Sequence, residues 1–229
     1  MNLVILEQLL AAREAGVEAV LATRLDDGTQ VLLPDDAAPF AWQDAARAAL
    51  AQDKTGIQEL DGQRWFLHVH APPHRLLIVG AVHIAQSLAA LATMTGMVVT
   101  VMDPRRGFAT EERFPGVTLL DQWPDDALAS LKPDRRTAIV VLTHDPKLDD
   151  PALDVALKSE AFFIGALGSR RSHARRLERL AALGHSAEAL ARISGPVGLP
   201  IGALTAPEIA LSTLAEIVAV RRGARSRFG

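Results

Sequence analysis

Hydrophobic and polar positions change rhythm near residue 73, and the chain reads as two parts. In the first, Leu3–Ala15 has the mixed texture of a short amphipathic helix. Glu18–Thr23 and Gln30–Leu33 flank Asp26-Asp27-Gly28, and Ile57–Leu60 and Arg64–Val69 flank Asp61-Gly62. Asp-Gly between branched runs predicts a hairpin, because the tight turn needs a residue tolerant of positive φ. Between the hairpins, the Ala-rich Trp42–Ala51 predicts a helix. Ala71-Pro72-Pro73 then breaks the pattern. Proline has no amide donor and holds its predecessor extended, which sets a boundary here. The expectation is a small α+β domain over residues 1–72 and a second domain over 73–229.

In the second part, short Val/Ile/Leu runs alternate with helix-forming stretches. Strands are predicted at Arg75–Val79, Val98–Met102, Val117–Leu120, Ala138–Leu142 and Phe162–Ala166. Helices are predicted near 83–95, 125–131, 152–159, 172–183, 186–193 and 206–222. Asp150-Pro151 reads as an N-cap followed by proline in the first turn, and Thr205-x-x-Glu208 as a capping box. Strands rich in Val, Ile and Leu, alternating with helices, predict a parallel sheet covered on both faces, with right-handed crossovers. The fold class is therefore α/β, a doubly wound, Rossmann-like parallel sheet. From Leu76 to Met102 no Asp, Glu, Lys or Arg occurs, a length that can span a bilayer. The run holds His83, Gln86, Ser87, Thr93, Thr95 and Thr100, and its texture changes at Gly80 and Gly96. Strand, helix, strand is the better parse, so no membrane span is expected.

Composition narrows the function. The chain has 24 Lys+Arg against 27 Asp+Glu, a net charge of −3, and ten aromatic residues (seven Phe, three Trp). There is no basic surplus for a phosphate backbone and little to stack on bases, which disfavours nucleic acid as a partner. The absence of cysteine excludes disulfides, thiolate metal sites and a persulfide carrier. Met1 to Gln8 lacks the basic start of a secretory signal, so a cytoplasmic location is expected.

In a doubly wound sheet, ligands bind beyond the carboxyl ends of the strands. The first predicted strand there meets Gly80-Ala81-Val82-His83, and the second meets Asp103-Pro104-Arg105-Arg106-Gly107. The fourth is followed by Thr143-His144-Asp145-Pro146-Lys147, and the fifth by Leu167-Gly168-Ser169-Arg170-Arg171. The first loop departs from the dinucleotide fingerprint Gly-x-Gly-x-x-Gly/Ala, because Val82 stands where the backbone should approach a pyrophosphate. Asp103 holds the acidic position that accepts from a ribose hydroxyl. The loop at Gly168 is the better anion site: it opens a helix whose first amides are unpaired, and Arg170 and Arg171 add charged forks. Arg175, Arg176 and Arg179 read as the solvated face of that helix. His68 and His70 make a two-ligand set, too few for a metal. His185 reads as a surface turn residue. His83, His144 and His173, from separate strand ends, are open to metal, acid–base or hydrogen-bonding roles. The candidate cofactor-binding set is Gly80, His83, Asp103, Arg105, Thr143, His144, Asp145, Gly168, Ser169, Arg170 and Arg171, with no catalytic or metal-binding assignment.

The runs Pro73 to His83, Asp103-Pro104-Arg105 with Phe114-Pro115, Leu142 to Asp149, Gly165 to Arg171, and Gly195 to Ala210 occur in one order. Together they resemble the xanthine dehydrogenase accessory protein family (XdhC/CoxI), over about residues 73–222. The resemblance implies a Rossmann-type accessory factor, not itself a catalyst. Such a factor holds molybdopterin, the molybdenum cofactor, for a molybdenum hydroxylase of the xanthine or aldehyde dehydrogenase type. It also implies a cysteine desulfurase as partner and a homodimer. The N-terminal part lacks that family's Gly-Gly-Cys-Val-Glu segment. Either the desulfurase performs all sulfur chemistry or the ligand differs. Two further readings stand beside this one. An NAD(P)-linked oxidoreductase is suggested by Gly80, Ala85 and Asp103 but opposed by Val82. An assembly factor that has lost its ligand is the other.

Overall fold

The computed structural model describes residues 3–35, 38–105 and 107–224. The chain divides into two compact units, Met1–Pro72 and Pro73–Gly229. The first contains α1 (Leu3–Glu14), β1 (Ala19–Arg24), β2 (Gln30–Leu33), α2 (Phe40–Gln52), β3 (Gly56–Leu60) and β4 (Gln63–His70). Its four strands form an antiparallel sheet in the order β2-β1-β4-β3. Strand alternation sends Val20, Ala22, Leu33, Trp65 and Leu67 to one side, where they cluster with Trp42, Ala46 and Ala49 of α2. The Trp42 and Trp65 rings meet edge-on at 4.5 Å, and Trp42 Nε1 donates to Asp61 in the β3–β4 turn at 2.7 Å. On the other side, Ala19 and Leu21 cluster with Leu9 of α1.

The second unit alternates strand and helix. It runs through β5 (Arg75–Val79), α3 (His83–Met94), β6 (Val98–Met102), β7 (Thr118–Leu120) and α4 (Pro124–Leu131). It continues with β8 (Thr137–Val141), α5 (Pro146–Lys158), β9 (Phe163–Ala166), α6 (Arg170–Ala182), α7 (Ala187–Leu190), β10 (Ile193–Ser194) and α8 (Ala206–Arg221). All pairings in the six-stranded sheet are parallel, in the order β10-β9-β8-β5-β6-β7. This is the doubly wound order of a Rossmann fold. Central strand β5 is buried on both faces. Leu76 and Ile78 join the core with Leu88 of α3 and Leu214 of α8, while Leu77 and Val79 join Leu128 of α4 and Leu153 of α5. That two-sided burial explains the uncharged run from Leu76 to Met102. Among the described residues no helix is long and apolar enough to cross a membrane.

Two boundaries differ from the sequence pattern. Helix α5 starts at Pro146, with Asp145 as its N-cap accepting from the Lys147 amide at 3.0 Å, and Pro151 lies inside it. The same Asp-Pro pairing occurs at both places. The buried stripe Leu148, Ala152 and Ala156, with Leu153 and Leu157, carries the helix back across the second proline. The stretch predicted as helix 186–193 divides into short α7 and the two-residue strand β10, too brief to show any alternation. The Thr205–Glu208 capping box is formed: the Glu208 carboxylate accepts the Leu204 and Thr205 amides, each at 2.8 Å. Replacing Thr205 by Ala removes one half of this box and should lower stability by about 1 kcal/mol. Urea unfolding followed by circular dichroism reads this as a lower midpoint with unchanged slope.

Candidate functional site

Strands β5 and β8 are neighbours, but the chain leaves β5 toward β6 and β7 and leaves β8 toward β9 and β10. Loops that diverge in this way open a crevice at the carboxyl ends of the strands. The loops first touch at Gly80, where φ is +99° and an added Cβ would lie 2.4 Å from Thr143 Cγ2. A side chain there would need both a rare backbone conformation and the space Thr143 fills.

Asp103, after β6, is fully buried and already engaged. Its carboxylate accepts from the Ala81 amide at 2.9 Å, the Arg105 amide at 3.0 Å and the Arg105 guanidinium at 2.7 and 2.9 Å. Burial works to raise the Asp103 pKa, but the Arg105 side chain and the two amides outweigh it and hold the group below its usual value. Asp103 therefore staples the loop after β5 to the loop after β6, rather than offering an oxygen to a ribose. Arg105 also lies over the Phe108 ring at 4.4 Å. Arg106, read from the sequence as part of this loop, lies outside the described residues.

Two clefts flank the His144 loop. One, of about 450 Å³, is lined by Val82, Arg105, Leu142, Thr143, His144, Asp145 and Pro146. Val82 is the N-cap residue of α3 and makes no side-chain cap there. The other, of about 490 Å³, shares His144 and Pro146 and extends to Asp149, Ser169, Arg171, Ser172, Arg175, Arg176 and Arg179. Gly168 sets the entry to α6: its φ is +144°, and a Cβ would lie 2.5 Å from Ser172 Oγ. Ser169 caps α6 by accepting the Ser172 amide at 3.1 Å.

Beneath the second cleft lies a buried ion pair. Asp149 accepts from the Thr143 hydroxyl and from Arg176 Nη2, the latter at 3.3 Å. Burial pushes the Asp149 carboxyl above its ordinary pKa in spite of these two donors. Arg176, only 3% exposed, also donates to the Leu167 carbonyl at 2.9 Å. Its Nε and Nη1 are buried and unpartnered. A buried donor left unpaired costs about 1–3 kcal/mol.

The sequence-predicted residues are thus gathered in part. Arg105, Thr143, His144, Asp145, Ser169 and Arg171 line the two clefts, and Gly80, Asp103 and Gly168 shape the loops behind them. His83 and Arg170 are exposed at the starts of α3 and α6 and line neither cleft. His173 lies against Gly195, where an added Cβ would fall 2.2 Å from its Nδ1. Burial, then nearby Arg176, lowers the His173 pKa. Of the three strand-end histidines, His144 alone lines these two clefts. Among the described residues no group of three or more His, Asp or Glu is placed to hold a metal ion. His185 is held by Asp154 at 2.7 Å rather than standing free in a turn. The basic face assigned to α6 also needs correction. Arg176 is buried, and Arg179 pairs with Asp150 at 2.9 Å. Arg176 precedes buried Leu180 by one helical turn, a signal present in the sequence. The facing Asp149 is not visible there, because it comes from another helix.

The family model for the XdhC Rossmann domain matches residues 76–217. The molybdenum cofactor insertion chaperone PaoD of Escherichia coli is 37% identical over 150 residues, which are 66% of this chain and 41% of that protein. A probable xanthine dehydrogenase subunit of Bacillus subtilis is 34% identical over 158 residues, which are 69% of this chain and 46% of that protein. The chain thus spans less than half the length of the curated relatives it matches. A crystal structure described as a xanthine dehydrogenase from Bacillus halodurans superposes with a TM-score of 0.73 at 24% identity, covering 96% of this chain and 67% of that one, and shares its fold.

The Asp103 geometry sets a pH dependence. A carboxyl whose pKa is lowered by folding contributes stability above its unfolded pKa, about 3.9, and loses it as pH falls through the folded value. Wild type should exceed Asp103→Asn in unfolding free energy at pH 7, and urea titrations below about pH 4 should show the gap closing.

Proposed function

This chain belongs to the XdhC family, and from that premise we propose that it is an accessory protein that holds molybdenum cofactor for a molybdenum hydroxylase. The observation that carries the reading is the crevice around His144, where two adjoining clefts meet a wall of arginine and serine donors. Molybdopterin is a phosphorylated, anionic, hydrogen-bonding pterin. It suits a polar crevice with cationic donors, and exposed Arg171 and Arg175 on the cleft wall fit an acidic cargo. The cofactor supplies a molybdenum centre to the client enzyme; this chain's part is to bind, orient and release it. His144 is exposed on the rim shared by both clefts, where it can donate to the cargo without holding the metal.

The client is taken to be of the xanthine or aldehyde dehydrogenase type, in keeping with the relatives' names. With no cysteine in the chain, sulfur chemistry falls to a cysteine desulfurase partner. A homodimer in the cytoplasm, with a small domain over 1–72 and a cargo-binding domain over 73–229, completes the reading. Val82 in the crevice and the fully engaged Asp103 weigh against an NAD(P)-linked enzyme.

Protein purified from a host that makes molybdopterin should carry the pterin, detected by fluorescence after oxidation, and molybdenum, detected by mass spectrometry. His144→Ala should retain about tenfold less at an unchanged circular dichroism spectrum, the worth of one or two hydrogen bonds. A blank at stoichiometric sensitivity, together with normal hydroxylase activity when the gene is deleted, would overturn the proposal.

A further inference from the structure

We infer that the outer face of α8 is the surface through which two copies of this chain pair, antiparallel about a two-fold axis at Ala215; the inference rests on the homodimer reading above and gives it a place. The two helix layers on the six-stranded sheet differ in what they show to solvent. Helices α4, α5 and α6 cover Leu77 and Val79, and outward they carry Asp126, Lys147, Lys158, Arg171, Arg175 and Glu178. Helices α3 and α8 cover Leu76 and Ile78 on the other side, and α3 has no Asp, Glu, Lys or Arg along its length. On α8 the Glu216 carboxylate is turned to its own fold, accepting from the Ser194 hydroxyl at 2.5 Å and the Gly198 amide at 2.6 Å. Between Glu208 and Arg222 the outward positions are Leu211, Ala215 and Ala219, and Leu211 is 52% exposed. Met94, at the end of neighbouring α3, is 83% exposed. A helix that is apolar outside as well as inside has the character of a covered one.

The pattern of that face selects its occupant. Glu208, Leu211, Ala215, Ala219 and Arg222 recur at three- and four-residue spacing, so they lie in one row along the helix. An acid stands seven residues before Ala215 and a base seven residues after it. Turned about a two-fold axis at Ala215, the row meets itself: Glu208 faces Arg222 of the second copy, and Leu211 faces Ala219. Such a row is self-complementary, as an isologous contact requires, whereas a parallel pairing would set like charges side by side. Alanine at the crossing lets the two helix axes approach to about 8 Å. The size agrees as well. Its 16 residues make α8 about 24 Å long, and with α3 beside it the layer is about 20 Å wide, on the order of 500 Å² per copy. Twice that is about the 1,000 Å² that a specific pairing needs.

The full chain has no cysteine, so one introduced thiol reports its own surroundings. Under copper–phenanthroline oxidation Ala215→Cys should give a disulfide-linked dimer, and Ala174→Cys, exposed on α6, should not. By sedimentation velocity wild type should be a dimer and Leu211→Asp a monomer with an unchanged circular dichroism spectrum. Arg222→Glu and Glu208→Lys should each raise the dimer dissociation constant about tenfold at low salt. An equal mixture of the two should recover the dimer, because the mixed pair restores both charge contacts. The half of the helix cap lost in Glu208→Lys is lost in the mixture too and cannot mimic that recovery. A wild-type dimer that survives Leu211→Asp, with no cross-link at Ala215, overturns the α8 surface and leaves the homodimer standing. Charge variants that fail to recover on mixing overturn the antiparallel pairing. Wild type that stays monomeric overturns both the surface and the homodimer, also where its α8 face captures a hydroxylase subunit instead.

Discussion

The Asp149 carboxylate lies where the loops after β8 and β9 come together, and it takes a hydrogen bond from Thr143 on one side and from Arg176 on the other. Each partner belongs to a different element: Thr143 follows β8, Asp149 is on α5 and Arg176 is on α6. A buried pair of this kind adds little net stability, because desolvating both charges offsets their attraction. Removing one partner is another matter, since it strands a charge in a place water does not reach. The pair is thus a device for position. It sets the wall of the cleft behind Ser169 and Ser172, and it leaves Arg176 with donors to spare.

The same logic recurs on the β5 side. Gly80 lets the loop after β5 touch Thr143, and Asp103 gathers Ala81 and Arg105. The polar groups of Asp103 and Arg105 hold loops together. His144 stays exposed in the crevice, between a mainly apolar cleft and a cationic one.

Most of the fold is legible in the sequence, because it rests on local rules. Strands such as Arg75–Val79 and Val98–Met102 are short runs dominated by Val, Leu and Ile, and the capping box at Thr205 marks its helix start. Legibility fails where two local signals compete, as at Asp145-Pro146 and Asp150-Pro151, or where the element is too short to carry a pattern, as at Ile193–Ser194. The site is legible at the level of loops but not of side chains. The sequence puts Asp103 and His144 at strand ends alike, yet one is buried in internal bonds and the other faces the crevice. Arg176 reads as solvated from its own helix because its burial depends on Asp149, a residue on a different one. Contacts across elements are the part of a site that periodicity does not encode.

Cargo seated in the crevice around His144 is tested most directly by a crystal structure of the protein purified with its pterin, with anomalous diffraction recorded at the molybdenum absorption edge. A single anomalous peak within the crevice between Val82 and Ser169, beside His144, is the result this account predicts. A peak in the Met1–Pro72 unit, or on the opposite edge of the six-stranded sheet, would contradict it.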